Sequence, residues 1–159
     1  MPADAQHLDS NVLLAYVRNE SDRASVVGQL LQEARDGKRR LIASTEAIVE
    51  VTHGAGKSRQ EALDPQVLER IDALWVSGGG PVELVDPSIR IMFRARDYVR
   101  EGLSPGRGIA PKDAIHLATT VQLESPVLLT YECEETRDLW ASIAGVRVEE
   151  PTIGQPPLF

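Results

Sequence analysis

Apolar positions in the chain follow two patterns, short continuous runs and stretches with helical spacing. Short runs bounded by polar or glycine-rich residues are typical of buried strands, whereas apolar residues three or four positions apart are typical of helices. The runs predict strands at Ala5–Leu8, Leu41–Ala43, Val82–Val85, Val127–Thr130 and Val146–Val148. The spacing predicts helices at about Asn11–Arg18, Arg23–Asp36, Pro65–Val76, Pro87–Val99, Lys112–Leu123 and Glu134–Ile143, and one capped by Ser44 or Thr45 that ends near Gly54.

Strands and helices therefore alternate along the chain. This order is typical of an α/β fold in which helices form a layer on each face of a parallel sheet, here with four to five strands. In the helix predicted at Pro65–Val76, the spacing directs Val67, Leu68, Ile71, Leu74 and Trp75 toward the core.

The length and composition fit one ordinary globular domain. The chain has 159 residues, of which 42% are hydrophobic and 26% are charged. Neither a repeat nor a shift in composition divides it, so we expect a single domain over residues 1–150. The remaining segment, 151–159, carries three prolines and is expected to form an extended tail.

Several features favour a cytoplasmic protein. The single cysteine, Cys133, cannot form an internal disulfide, as is typical of reducing compartments. Residues 1–7 lack the basic and apolar succession of a signal peptide. The apolar runs span a few residues each, whereas a membrane helix needs about 20.

Acidic residues follow the predicted strands. Ligands of open parallel sheets bind beyond the carboxyl ends of the strands, and hard cations such as Mg²⁺ or Mn²⁺ prefer carboxylate oxygens. No cysteine–histidine spacing typical of zinc is present, and His7, His53 and His116 are dispersed. The acids at or near predicted strand ends are Asp9, Glu46, Glu50, Asp86, Asp113 and Glu132.

Each of these acids also has a purely structural interpretation. Asp9 is suited to cap the first helix, and Asp113 in a first helical turn complements the helix dipole. Glu46 and Glu50 can face solvent, and Glu132 begins an acidic run that continues through Glu134 and Glu135. His116 lies one turn after Asp113, where a histidine is more often a packed helix residue than a ligand.

Four segments, taken in order, resemble the PIN-domain family. They are Leu8–Leu14 with the motif LDSNVLL, Ile42–Ser44 followed by Glu50–Val51, Pro111–Thr119 with PKDAIHLAT, and Leu128–Glu132 with LLTYE. The third segment is the most specific, and the resemblance extends from Leu8 to about Val148. It implies a PIN-like three-layer α/β/α fold.

The resemblance also implies site residues and a reaction. Asp9, Glu50 and Asp113 would hold Mg²⁺ or Mn²⁺ with help from Glu132, and the site would cut RNA. The residues implied to line the site or orient its ligands are Ser10, Asn11 and Thr130. Members are commonly toxins of toxin–antitoxin pairs, so a cognate antitoxin and a homodimer are implied as well.

Two departures keep an alternative open. Glu132 stands where the family usually has aspartate, so Glu134 or Glu135 is a competing fourth acid, as Glu46 is for the second. The net charge of −7 is unusual for a protein that binds nucleic acid. The alternative is a degenerate PIN module that binds RNA or a partner without cutting. A phosphatase with a covalent aspartate is disfavoured because Asn11 stands where its general acid is needed.

Overall fold

Five short strands form one all-parallel sheet in the computed structural model, which describes residues 4–56, 63–103 and 108–154. The spatial order is β3-β2-β1-β4-β5, so β1 is the central strand and pairs with β2 on one side and β4 on the other. The strands are β1 (Ala5–Leu8), β2 (Arg40–Ser44), β3 (Val82–Val85), β4 (Val127–Leu129) and β5 (Arg147–Glu149).

Seven helices in this part of the chain cover the two faces of the sheet. The first four contribute to an apolar cluster on one face, and the last three to a second cluster on the other. The three-layer α/β/α fold with a parallel sheet of four to five strands is therefore confirmed. The helices are α1 (Ser10–Val17), α2 (Ser21–Arg35), α3 (Glu46–Gly56), α4 (Pro65–Asp72), α5 (Ile89–Leu103), α6 (Pro111–Gln122) and α7 (Glu134–Ala144).

Side chains of the strands alternate between the two faces of the sheet and therefore belong to both apolar clusters. Leu8 in β1 and Ala43 in β2 pack with α1–α4, whereas Leu128 in β4 packs with α5–α7. Because successive strand residues point to opposite faces, a sheet buried on both faces needs nearly continuous apolar runs. The three adjacent residues Leu41, Ile42 and Ala43 are accordingly all buried.

The direction in which strands are added reverses at β1. The chain proceeds from β1 through β2 to β3 on one side, and then crosses to β4 and β5 on the other. In open α/β sheets, ligands bind in the crevice that such a reversal leaves at the carboxyl ends of the strands. The ends of β1 and β4, where Asp9 and Thr130 follow, lie at this point.

The structure corrects several local predictions. Helix α4 ends at Asp72 instead of Val76, and Leu74 and Trp75 are buried in the turn that follows. Leu68 was expected in the core but is 40% exposed. Of the two residues predicted to cap α3, Ser44 has a buried hydroxyl without a hydrogen-bond partner, whereas Thr45 directly precedes the helix.

Helix α5 continues to Leu103, four residues beyond its predicted end at Val99, and the remaining boundaries differ by one or two residues. Strand β4 ends at Leu129 and not at Thr130, and the last strand lies at Arg147–Glu149. Residues 151–154 have no regular secondary structure, and the rest of the predicted tail lies outside the described residues. The division of the chain into a domain over 1–150 and a tail stays a prediction. No helix in the described ranges is long and apolar enough to cross a membrane.

Gly80 provides a test of the turn between α4 and β3. A methyl group at Gly80 would overlap the backbone of Ala73 and Leu74, which cannot move without displacing buried side chains. We expect Gly80→Ala to lower the free energy of unfolding by about 1–3 kcal/mol, measured by urea denaturation. Gly108→Ala is the control, since a methyl group there meets nothing within 4 Å. Equal stability of the two variants would contradict this view of the turn.

Candidate active site

A cavity of about 460 Å³ opens at the carboxyl edge of the sheet, beside the ends of β1 and β4. Asp9, Glu50, Asp113 and Glu132, the four acids expected to form the site, all line it. They come from the end of β1, from α3, from the first turn of α6 and from the segment after β4. The structure therefore brings together four carboxylates that lie far apart in the sequence.

The other acidic candidates do not line the cavity. Asp86 is exposed beyond the end of β3, and Glu134 and Glu135 are exposed in the first turn of α7. None of these three lines the cavity. Glu46 does not line it either, but its carboxylate lies beside that of Glu50. Of the three candidates for the fourth position, Glu132 is the one that reaches the cavity.

Asp9 is both a helix cap and a cavity residue. It is buried at the N-cap of α1, where its Oδ1 atom accepts a hydrogen bond of 2.7 Å from the backbone N–H of Ser10. Its Oδ2 atom accepts a hydrogen bond of 2.8 Å from the hydroxyl of Thr130. Each carboxylate oxygen can accept more than one hydrogen bond, so both keep capacity for a cation.

Thr130 connects the ends of β1 and β4. Its hydroxyl donates to Asp9 and accepts from the Asn11 side-chain amide at 3.1 Å and from the Glu132 backbone N–H at 3.2 Å. The Asn11 side-chain oxygen accepts from the backbone N–H of Tyr131 at 3.1 Å. Asn11 and Thr130 therefore fix the orientation of Asp9 and the path of the chain into Glu132.

His116 joins the layers on opposite faces of the sheet. This fully buried imidazole on α6 places Nε2 3.0 Å from Oε1 of Glu50 on α3, and 3.3 Å from the Ser10 hydroxyl. Burial lowers the pKa of His116, but the hydrogen bond to Glu50 and the charge of Asp9 outweigh burial, so the net shift is upward. The imidazole is thus suited to face carboxylates.

Glu50 is held between Lys112 and His116. Its Oε2 atom lies 3.7 Å from Nζ of Lys112, while Oε1 contacts His116. Burial raises the pKa of Glu50, but the hydrogen bond to His116 and the charges of His116 and Lys112 together lower it by more. The net shift is therefore downward. Glu50 therefore stays ionised in the acidic cavity.

Asp113 has the opposite character. Burial and the neighbouring Asp9 carboxylate raise its pKa to about 7, and Glu132 adds to the shift, although Lys112 and His116 oppose it. Two carboxylates this close resist ionising together unless a cation neutralises them. At neutral pH, Asp113 is therefore only partly ionised, and a bound cation would displace the proton that remains.

The donor set fits a divalent cation. Asp9, Glu50, Asp113 and Glu132 offer oxygen atoms, which Mg²⁺ and Mn²⁺ prefer. Burial, together with the nearby Asp9 and Glu132 carboxylates, raises the pKa of Asp113, as expected where carboxylates share one site. The assignment of individual ligands, and of Ser10, Asn11 and Thr130 as supporting residues, stays a prediction.

The site residues expected from the sequence did not include three residues that lie near the acids. His116 follows Asp113 by three positions and Glu46 precedes Glu50 by four, so each pair shares a helix face. Lys112, beside Asp113, lines the cavity. The helical spacing was a signal for the first two. That His116 would meet Glu50 had no sequence signal, because α3 and α6 belong to different layers.

The family follows from comparison with known domains. The model of the PIN domain matches residues 7–133, a range that begins within β1, contains the four cavity acids and ends directly before α7. The chain belongs to the PIN domain family. Comparison with curated proteins finds no match.

Solved structures of other proteins contain chains with the same fold. A chain of VapBC2 from Rickettsia felis, bound to a DNA fragment from its promoter, is 18% identical with a TM-score of 0.68, covering 92% of this chain and 98% of that one. A chain of DNA-bound VapBC from Salmonella typhimurium is 19% identical with a TM-score of 0.62, covering 93% and 98%. A chain of VapBC-1 from nontypeable Haemophilus influenzae is 19% identical with a TM-score of 0.63, covering 92% of this chain and 97% of that one.

The pKa of Asp113 predicts how pH changes the stability of the metal-free protein. Because its pKa is about 7 when folded and about 4 when unfolded, stability falls as pH rises through this range. Asp113→Asn removes this dependence. We compare the free energies of unfolding of Asp113→Asn and wild type in EDTA. We expect the difference between them to change by about 2 kcal/mol in favour of the variant from about pH 4 to about pH 7.5. One pKa unit equals about 1.4 kcal/mol, and the partial solvent access of Asp113 reduces the total.

The measurement is urea denaturation at several pH values. Asp138→Asn on the exposed part of α7 controls for the loss of one negative charge. A constant difference between Asp113→Asn and wild type across the range would contradict the raised pKa.

Proposed function

We propose that the protein is a metal-dependent endoribonuclease that acts as the toxin of a toxin–antitoxin pair. The observation that carries this proposal is the convergence of Asp9, Glu50, Asp113 and Glu132 on one cavity. Membership of the PIN domain family supports a nuclease, and RNA as substrate with Mg²⁺ or Mn²⁺ as cofactor is the finer part of the proposal. Such a toxin would act in the cytoplasm, where it would meet the RNA that it cleaves.

In this proposal, Asp9, Glu50 and Asp113 hold the cation and Glu132 assists. When bound, the cation polarises the phosphodiester and favours ionisation of the attacking water.

Thr130 and the N–H of Ser10 keep both Asp9 oxygens in place. His116 and Lys112 keep Glu50 ionised and oriented. Fixed carboxylates lower the cost of reorganising the site during the reaction.

Positive side chains at the cavity would allow an acidic protein to bind RNA. Lys112 and Arg18 line the same cavity as the acids. Lysine and arginine contact phosphate oxygens, and such contacts position nucleic acid without reading its sequence. The net charge of −7 therefore does not prevent RNA from binding, since a cation and these side chains meet the phosphates locally.

An antitoxin is the proposed protein partner. The similar chains of VapBC2 and VapBC come from complexes whose names join a toxin and its antitoxin. An open cavity with four carboxylates suits a basic antitoxin side chain, because a guanidinium pairs with carboxylates through strong charge-assisted hydrogen bonds. A plug of this kind would compete with the cation for the same oxygens.

The central experiment is cleavage of RNA by the purified protein in the presence of Mn²⁺ or Mg²⁺. We expect cleavage to require the cation and to fall at least about 100-fold in Asp113→Asn and Asp9→Asn, because removing a ligand weakens both cation binding and charge stabilisation. Gel analysis of labelled RNA measures the rate.

Asp138→Asn on α7 is the matched control and should cleave as wild type does. Undiminished cleavage by both cavity variants would exclude the proposed roles. Absence of cleavage by wild type, together with no heat on titration with Mn²⁺, would favour the degenerate PIN module that binds without cutting.

A homodimer through α5 completes the proposal. Ile89, Met92 and Phe93 share one face of this helix and are 72%, 45% and 53% exposed. We expect Ile89→Glu with Phe93→Glu to convert a dimer into a monomer, as judged by light scattering, because charges in an apolar interface are desolvated without partners. Val76→Glu, at another exposed apolar position, is the control. A variant that stays dimeric would exclude α5 as the interface.

A further inference from the structure

Glu46, Glu50 and His116 form a mixed oxygen and nitrogen cluster beside the acidic cavity. One ligand atom from each lies within 4.8 Å of the other two. Glu46 and Glu50 are one helical turn apart on α3, so both carboxylates lie on one face of that helix. His116 approaches from α6, in the opposite layer.

Two observations indicate that this cluster is built for a ligand. The Oε2 atom of Glu46 is buried and has no hydrogen-bond partner. A buried carboxylate oxygen without a donor is costly, so native proteins pair such atoms with a donor, a water or a cation. In addition, the His116 imidazole is fully buried and directs Nε2 into the cluster. The two carboxylates therefore share their site with an imidazole nitrogen.

The spacing suits a metal ion. The Nε2 atom of His116 and the Oε1 atom of Glu50 are 3.0 Å apart. Adjacent ligands of an octahedral ion with bonds of about 2.1 Å are about 3.0 Å apart. A cation between these two atoms would replace the proton of their hydrogen bond, which is released to solvent, would leave their separation unchanged and would give the Glu46 oxygen the partner that it lacks.

We propose that Glu46, Glu50 and His116 form a second cation site, selective for transition metals such as Mn²⁺ or Zn²⁺ over Mg²⁺. Imidazole nitrogen binds transition metals well, whereas Mg²⁺ prefers an all-oxygen shell with several waters. Glu50 is shared with the cavity, since its other oxygen faces Lys112. This inference goes beyond RNA cleavage, because it concerns which cation the chain selects.

The first test is calorimetric titration of the metal-free, full-length protein with Mn²⁺ and, separately, with Mg²⁺. We expect Glu46→Gln to weaken Mn²⁺ binding at least about tenfold and to change Mg²⁺ binding less than about twofold, because Glu46 serves only the nitrogen-containing site. Glu69→Gln, at an exposed position on α4, is the matched control and should change neither. Equal Mn²⁺ affinity of wild type and Glu46→Gln would overturn the proposal.

The second test leaves His116 intact, because replacing a fully buried side chain could prevent folding. Nitrogen NMR of protein with ¹⁵N-labelled histidine, titrated with Zn²⁺, reports directly on imidazole coordination. We expect the Nε2 resonance of His116 to shift on Zn²⁺ binding in wild type, and not at the same Zn²⁺ concentration in Glu46→Gln.

An Nε2 resonance that is unchanged when Zn²⁺ binds would overturn the proposal and leave His116 as a positioning residue for Glu50. Neither test uses RNA. A protein that fails to cleave RNA can therefore still pass both, and failure of this site is distinguishable from failure of the proposed nuclease.

Discussion

Mutual repulsion among carboxylates confined at one edge of the sheet is the constraint on which the site depends. Burial is the largest cause that raises the pKa of Asp113, and the neighbouring Asp9 carboxylate adds to the shift, which brings the pKa to about 7. Lys112 and His116 offset part of this effect, while Thr130 holds Asp9 and His116 holds Glu50 in a fixed orientation. The protein thereby keeps negative charge in a fixed place, at a cost in stability that a bound cation offsets.

The fold makes this arrangement possible because each acid belongs to a different element. Asp9 follows the central strand, while Glu50 and Asp113 lie on helices that cover opposite faces. Helices on the two faces can meet only at an edge of the sheet, and the reversal of strand order at β1 opens that edge. His116 contacts Glu50 across this gap, so it is the buried group that links the two layers.

Much of the fold was predictable because apolar runs and helical spacing depend only on local sequence. The end of α4 at Asp72 was not predictable, because Leu74 and Trp75 are buried after the helix and their apolar spacing would be the same if the helix continued. The acids could be placed at strand ends, but the choice among Glu132, Glu134 and Glu135 depends on the direction of the chain after β4. The contact of His116 with Glu50 depends on how two layers pack, which no spacing along the chain encodes.

The central position of β1 has a consequence for the order in which the molecule comes apart. This strand is hydrogen-bonded along both edges, and Asp9 continues the pairing through its backbone N–H to the Leu129 carbonyl. Local fluctuations open peripheral elements first, whereas doubly paired strands separate only in global opening. The anchor of the acidic site therefore belongs to the last cooperative unit to melt, and its amide protons are expected to exchange with solvent among the slowest in the chain.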